Sequence, residues 1–222
     1  MYELNQIVGE TMNILNSRLY SILETVSFFF LLNILWFIMC LPIITIFPAT
    51  AAMFGVVRQW VMKKDSAVFM PFFRFFKENF KQSFLLGIIV FAFSYIFYID
   101  FMLINNLGNI MQNLLLASLF LIAIIGTLTF TYIFPMMVHF KLTLWSAVKN
   151  SFFFSIKYFP TTLLSVIFVG LMFVVLLYVP VAFLMIFSFM AYVVFFICYS
   201  RFRKEGELAE KHQLAQEQGN HT

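Results

Sequence analysis

Charge is scarce in this chain: 11% of its 222 residues are Asp, Glu, Lys or Arg, against 63% hydrophobic. Soluble domains carry roughly 25% charged residues, and a water-soluble globule this apolar could not cover its surface, so that class is excluded. Cysteine is scarce too. Cys40 and Cys198 stand far apart, each inside an apolar run, which excludes a disulfide framework or a zinc-type spacing and leaves them as small buried hydrophobes. The chain has no P-loop, no dinucleotide glycine pattern and no HExxH, and His139, His212 and His221 form no ligand set. The expectation is therefore no enzyme, no catalytic residue, no cofactor and no bound metal. Basic residues are missing between Asp100 and Asn113 and again between Tyr178 and Val181.

What is present is ordered around those gaps. The fourteen basic residues fall in alternate spaces between apolar runs: Arg18; Arg58, Lys63, Lys64, Arg74, Lys77 and Lys81; Lys141, Lys149 and Lys157; then Arg201, Arg203, Lys204 and Lys211. Short loops that stay in the cytoplasm retain Lys and Arg, so this ladder predicts a multi-pass protein of the bacterial plasma membrane with a cytoplasmic C-terminus. A bilayer core about 30 Å thick needs helices of roughly 20 apolar residues. The pattern predicts an all-α polytopic bundle: one membrane domain over 1–200 with spans near 23–39, 45–62, 84–104, 114–138, 161–178 and 181–199, then a short cytosolic tail over 201–222. Pro48-Ala-Thr-Ala51 has the look of a signal-peptide cleavage site, but the apolar run before it is long and its flank is acidic, so it reads as an uncleaved anchor. Nucleic acid is a poor partner because the basic residues adjoin spans and build no separate basic domain. Anionic lipid head groups suit them better.

The second span decides the number of crossings. Pro42 stops a helix ending at Cys40, and Pro48 suits the first turn of the next. If 45–62 crosses, six spans put all the basic residues on one side; otherwise there are five and Arg18 lies opposite. Ala51 and Gly55 make a small-xxx-small pair that permits close helix contact. Two linkers look amphipathic. Over 66–82, Phe69, Phe72, Phe73, Phe76 and Phe80 form a helical stripe opposite Arg74, Lys77 and Lys81, with Phe75 off it. Over 143–159, Trp145, Val148, Phe152, Ile156 and Phe159 line one side, with Lys149 and Lys157 off it. Both read as helices lying in the cytoplasmic interface, giving three hairpins joined by two interfacial helices.

Two groups of residues are candidate sites. At the proline break, Asn33, Trp36, Pro42, Thr45, Pro48 and Thr50 bring polarity to an interrupted backbone whose free groups need partners; they form either a structural joint or a ligand pocket. On the cytoplasmic side, Arg58, Lys63, Lys64, Arg74, Lys77, Lys81, Lys149 and Lys157 form a partner or lipid face. Asp100 reads as water-facing at a span end, His139 as an interfacial polar residue, and Thr127, Thr129 and Thr131 as hydrogen-bonders between helices.

Asn33-Ile-Leu-Trp36, Leu41-Pro-Ile-Ile-Thr45, Pro48-Ala-Thr-Ala51, Val57-Arg58-Gln-Trp60 and the run Phe69-Met-Pro-Phe-Phe-Arg-Phe-Phe-Lys77 to Gln82 resemble the bacterial YesL-like family of membrane proteins. One departure is Phe47, where the family pattern has glycine before Pro-Ala-Thr. The resemblance implies a Gram-positive source and an association with carbohydrate uptake, since members occur near genes for importing and degrading polysaccharides. It implies no mechanism, and the Glu-Ala-Ala loop by which such permeases dock their ATPases is absent. The expected function is a non-enzymatic membrane accessory protein with sugar-importer subunits as partners; the alternative is a small-solute transporter in its own right.

Overall fold

Pro42 and Pro48 divide the first long apolar stretch into two helices. In a computed structural model describing the backbone of residues 2–64, 66–104 and 109–219, and side chains at 20, 22–64, 66–104 and 110–207, α1 (Tyr2–Cys40) ends just before Pro42. A 3-10 turn over Ile43–Thr45 leads into α2 (Ile46–Val61), which carries Pro48 in its first turn, where no intrahelical N–H is needed. Then follow α3 (Phe69–Leu103), α4 (Asn109–Phe140), α5 (Leu144–Lys157), α6 (Phe159–Tyr178), a 3-10 turn over Pro180–Leu184, and α7 (Ile186–Gly219). Among the described residues, six helical stretches are long and apolar enough to cross a membrane, Ile43–Val61 included. The architecture is a polytopic helical bundle.

Its centre is α2. From Pro48 to Val57 every residue but Thr50 is buried, whichever way it points, because α1, α3, α4 and α7 surround the helix. Small side chains allow that approach. Ala49, Ala51 and Ala52 are fully buried, and a Cβ built on Gly55 would lie 2.4 Å from Cγ of Phe75. Phe75, which falls off the sequence stripe, is thus the ring that closes on Gly55. Phe47 has a comparable partner. A Cβ on Gly87 of α3 would lie 2.9 Å from its ring, and the ring also meets Phe130 and Phe134 of α4, each at 6.2 Å. The Phe that replaces the expected glycine is accommodated by a glycine on the neighbouring helix.

The first amphipathic linker is no separate helix, because nothing interrupts its periodicity before the next span and the two run on as α3. Its stripe divides: Phe72 is fully buried, Phe73, Phe76 and Phe80 are half-buried and Phe69 is exposed. The second linker is a distinct helix, α5. Ala147, Ser151 and Ser155 recur every fourth residue and are buried, which lets α5 lie close against the bundle. Trp145, Phe152 and Ile156 of α5 face outward, as does Phe159 at the start of α6, leaving an apolar stripe of the kind an interfacial helix uses.

Two hairpin tips are apolar and exposed: Leu41, Ile43 and Ile44 between α1 and α2, and Tyr178, Val179 and Val181 between α6 and α7. Their backbone groups bond internally, with Thr45 N–H donating to Pro42 O, Ala182 N–H to Val179 O and Met185 N–H to Ala182 O. A tip built this way tolerates hydrocarbon around it. The threonines of α4 differ from expectation. Thr127, Thr129 and Thr131 donate to the carbonyls of Ala123, Ile125 and Thr127 in their own helix. Each hydroxyl is taken by the carbonyl four residues back, a bond open to any Ser or Thr within a helix.

Candidate functional site

The proline break brings its six candidate residues into one joint. Thr45 Oγ1 sits 2.5 Å from the Met39 carbonyl and 2.6 Å from that of Pro42, tying the turn to the end of α1. Trp36 Nε1 donates to Thr50 Oγ1 at 3.2 Å, and Thr50 in turn donates to Ile46 O. Asn33 reaches furthest: its amide donates to Phe183 O in the second tip at 2.7 Å, while its Oδ1 is buried with no donor among the described residues. Ser188 fastens the same contact by donating to Phe29 O at 2.8 Å. Trp36 stacks on Phe187 with ring centroids 4.8 Å apart. The joint therefore locks the α1–α2 hairpin to the α6–α7 hairpin, through residues some 150 positions apart in sequence.

The second candidate group surrounds the C-terminal ends of α2 and α4, with α5 and the middle of α7. Arg58 Nε donates to His139 Nδ1 at 3.5 Å, and the imidazole lies among the rings of Phe140, Phe195, Tyr199 and Phe202. Gln82 donates to Leu142 O across the α4–α5 corner. Lys157 pairs with Glu205 at 2.6 Å, and Glu205 also accepts from the Tyr158 hydroxyl. Burial first, and that bond second, push the Tyr158 phenol up to about 12. Arg201 lies over the Tyr158 ring at 5.6 Å, so α7 is latched to the α5–α6 corner by one carboxylate, two cations and a phenol. Lys63, Lys64, Arg74, Lys77, Lys81, Lys149 and Lys157 are exposed, while Arg58 is half-buried. Asp100 is exposed on α3. The side chains of Arg18, Lys211 and His212, and His221 entirely, lie outside the described residues.

A cavity of about 640 Å³ opens between α1, the end of α2 and α7, lined by Glu24, Phe28, Phe29, Trp60, Lys63 and Lys64 with Phe189 and Tyr192 opposite. Among the described residues no three His, Cys, Asp or Glu side chains converge as metal ligands would.

A family described as a protein of unknown function, DUF624, matches residues 29–101. The chain is 31% identical over 192 residues to the uncharacterized protein YesL of Bacillus subtilis (strain 168), covering 83% of this chain and 89% of YesL. It belongs to the YesL-like DUF624 family. YteU of the same organism, also described as uncharacterized, is 30% identical over 167 residues, covering 73% of this chain and 75% of YteU. No solved structure matches the chain. The DUF624 segment runs from Phe29 in the aromatic cluster, through the joint and α2, to Phe101 near the end of α3; it contains all six joint residues.

Sequence reasoning did not single out Glu24, Phe28, Phe29, Phe189 or Tyr192. Their spacing is that of any apolar span, and α1 and α7 are distant in the chain. The one local signal was Trp60 followed by the Lys63–Lys64 pair, an aromatic beside cations at a helix end.

Proposed function

We propose that this DUF624 protein is a non-enzymatic accessory protein of the plasma membrane of a Gram-positive bacterium, working beside the subunits of a carbohydrate importer. The observation that carries the reading is the basic end of the bundle. Seven Lys and Arg side chains stand exposed there, on the α2–α3 corner, α3 and α5, beneath a shell of exposed Leu, Ile and Phe. Retained Lys and Arg are characteristic of the cytoplasmic side, which supports a cytoplasmic location for this end and the C-terminus. There the cations face anionic head groups and any protein that docks on them. The importer association is supported by the resemblance to a family whose members occur near sugar-import genes.

A chain tagged at its C-terminus, expressed from its own locus and solubilised in mild detergent after growth on an inducing oligosaccharide, should recover permease subunits. Charge reversal at Arg74, Lys77 and Lys81 should abolish that recovery while leaving the chain in the membrane. A chain that purifies alone at native expression overturns the reading, and so does oligosaccharide uptake by proteoliposomes containing this chain and nothing else.

A further inference from the structure

The cavity between α1, α2 and α7 has no part in the reading above, and its lining combines two chemistries. Its walls are aromatic. The Phe29 ring meets Trp60 edge-on at 5.3 Å, Tyr192 at 5.5 Å and Phe189 at 6.1 Å, and Phe28 lies against Trp60 on the other side at 6.4 Å. Its rim is cationic. Lys63 and Lys64 are exposed, Glu24 is the one described carboxylate lining the cavity, and neither lysine is in an ion pair among the described residues.

Two details go beyond ordinary interfacial snorkelling. Lys63 holds φ at 53°, the left-handed conformation in which a helix end usually places glycine. The cap is closed by Lys63 N–H donating to Trp60 O and Lys64 N–H donating to Gln59 O, so α2 ends at the two lysines. In the wall, Trp60 Nε1 is buried with no acceptor among the described residues, an unspent donor on a residue that lines the same cavity as the two lysines. Along the same helices, Leu23, Val26 and Phe30 of α1 and Phe196 of α7 are exposed, so apolar surface open to the bilayer flanks the cavity.

We propose that this cavity is a binding site for an anionic bilayer phospholipid, with Lys63 and Lys64 on its phosphate and its upper acyl chains against Phe28, Phe29, Phe189 and Tyr192. The volume of about 640 Å³ accommodates a head group with the first carbons of its chains and is within the range of specific small-molecule sites. The site does not depend on an importer: lost co-purification would leave it untouched.

The test uses the full chain in nanodiscs, with Trp36→Phe and Trp145→Phe leaving Trp60 as the sole tryptophan. Phosphatidylglycerol with brominated acyl chains, titrated into phosphatidylcholine, should quench Trp60 saturably. Lys64→Gln should raise the half-quenching fraction about fivefold, since one interfacial lysine contributes about 1 kcal/mol. The Lys63→Gln/Lys64→Gln pair should raise it more than tenfold, and Lys64→Arg should leave it within twofold. Equal quenching by brominated phosphatidylcholine, or indifference to both Gln variants, overturns the proposal. Release of quenching by millimolar inorganic phosphate also overturns it, in favour of a free-anion site. If the tryptophan variant does not fold, native mass spectrometry of the unaltered chain and the double Gln variant decides by counting retained phosphatidylglycerol, with equal retention overturning the site.

Discussion

α2 and the far halves of α3 and α4 are both apolar helices in one bundle, yet they follow opposite rules. α2 has 16 residues, about 24 Å at 1.5 Å per residue, and is buried on nearly every side. α3 and α4 have 35 and 32 residues, about 52 and 48 Å. Phe47 at the start of α2 packs on Gly87, midway along α3, and on Phe130, about two-thirds of the way along α4, so the rest of both helices extends past the end of α2. There Phe91, Phe93, Tyr95, Tyr98, Phe101, Leu114 and Phe120 are all exposed. Lipid tails are as apolar as leucine, so burying an apolar side chain against another helix gains little by hydrophobicity, and close packing has to hold the helices together. The helix that organises the bundle is accordingly the one with alanines and a glycine. The large rings of the projecting hairpin face the solvent that suits them, the lipid.

That contrast can be broken most forcefully with a pair of matched substitutions. Phe72→Ala removes a fully buried ring and should cost about 3 kcal/mol, because the cavity left behind collapses only in part. Phe91→Ala, at a ring 76% exposed, should cost about 0.5 kcal/mol or less. Reversible unfolding in mixed micelles reads both, and comparable losses would mean that the projecting half is packed against something. Gly55→Ala should cost about 2 kcal/mol by overpacking against Phe75. A Phe75→Leu background should recover part of that loss, whereas simple additivity would deny the contact. Asn33→Ala should cost about 1 kcal/mol through the lost bond to Phe183 O, and the loss should appear as faster proteolysis at the α6–α7 tip. The smallest effect belongs to the latch on α7. The Lys157–Glu205 pair is largely exposed on its lysine side, so a double-mutant cycle should give about 0.5 kcal/mol, reduced further by salt. Tyr158 adds a pH signature. Its folded-state pKa is raised to about 12, so its contribution is complete below its ordinary pKa near 10 and is lost as pH rises from there through 12. Tyr158→Phe should flatten that decline in thermal stability.

The spans, the break at Pro42 and the amphipathic α5 were legible because each leaves a local mark: a run long enough for the bilayer, a proline, a 3.6-residue stripe. The small pair Ala51 and Gly55 was legible for the same reason. The partners of those residues were not. Nothing near Phe75 says that it closes on Gly55, and its place off the stripe becomes intelligible once α3 lies against α2. The α4 threonines show the reverse case: a hydroxyl in a span looks equally able to bond across helices or back along its own, and the neighbours decide. The cavity was the least legible, since its walls come from the two ends of the chain.

By itself the sequence determined that the chain is helical and membrane-embedded and which of its loops carry charge, since these depend on composition and local periodicity against a bilayer of set thickness. Tertiary structure decided that α2 is the centre, that the linker over 66–82 continues into α3, that Asn33 ties two hairpins together, and that Lys63 and Lys64 flank an aromatic cavity. The physical reason is that hydrocarbon exerts little preference among apolar faces. Which face turns inward is settled by complementary shape between distant helices, and that information resides in pairs of residues.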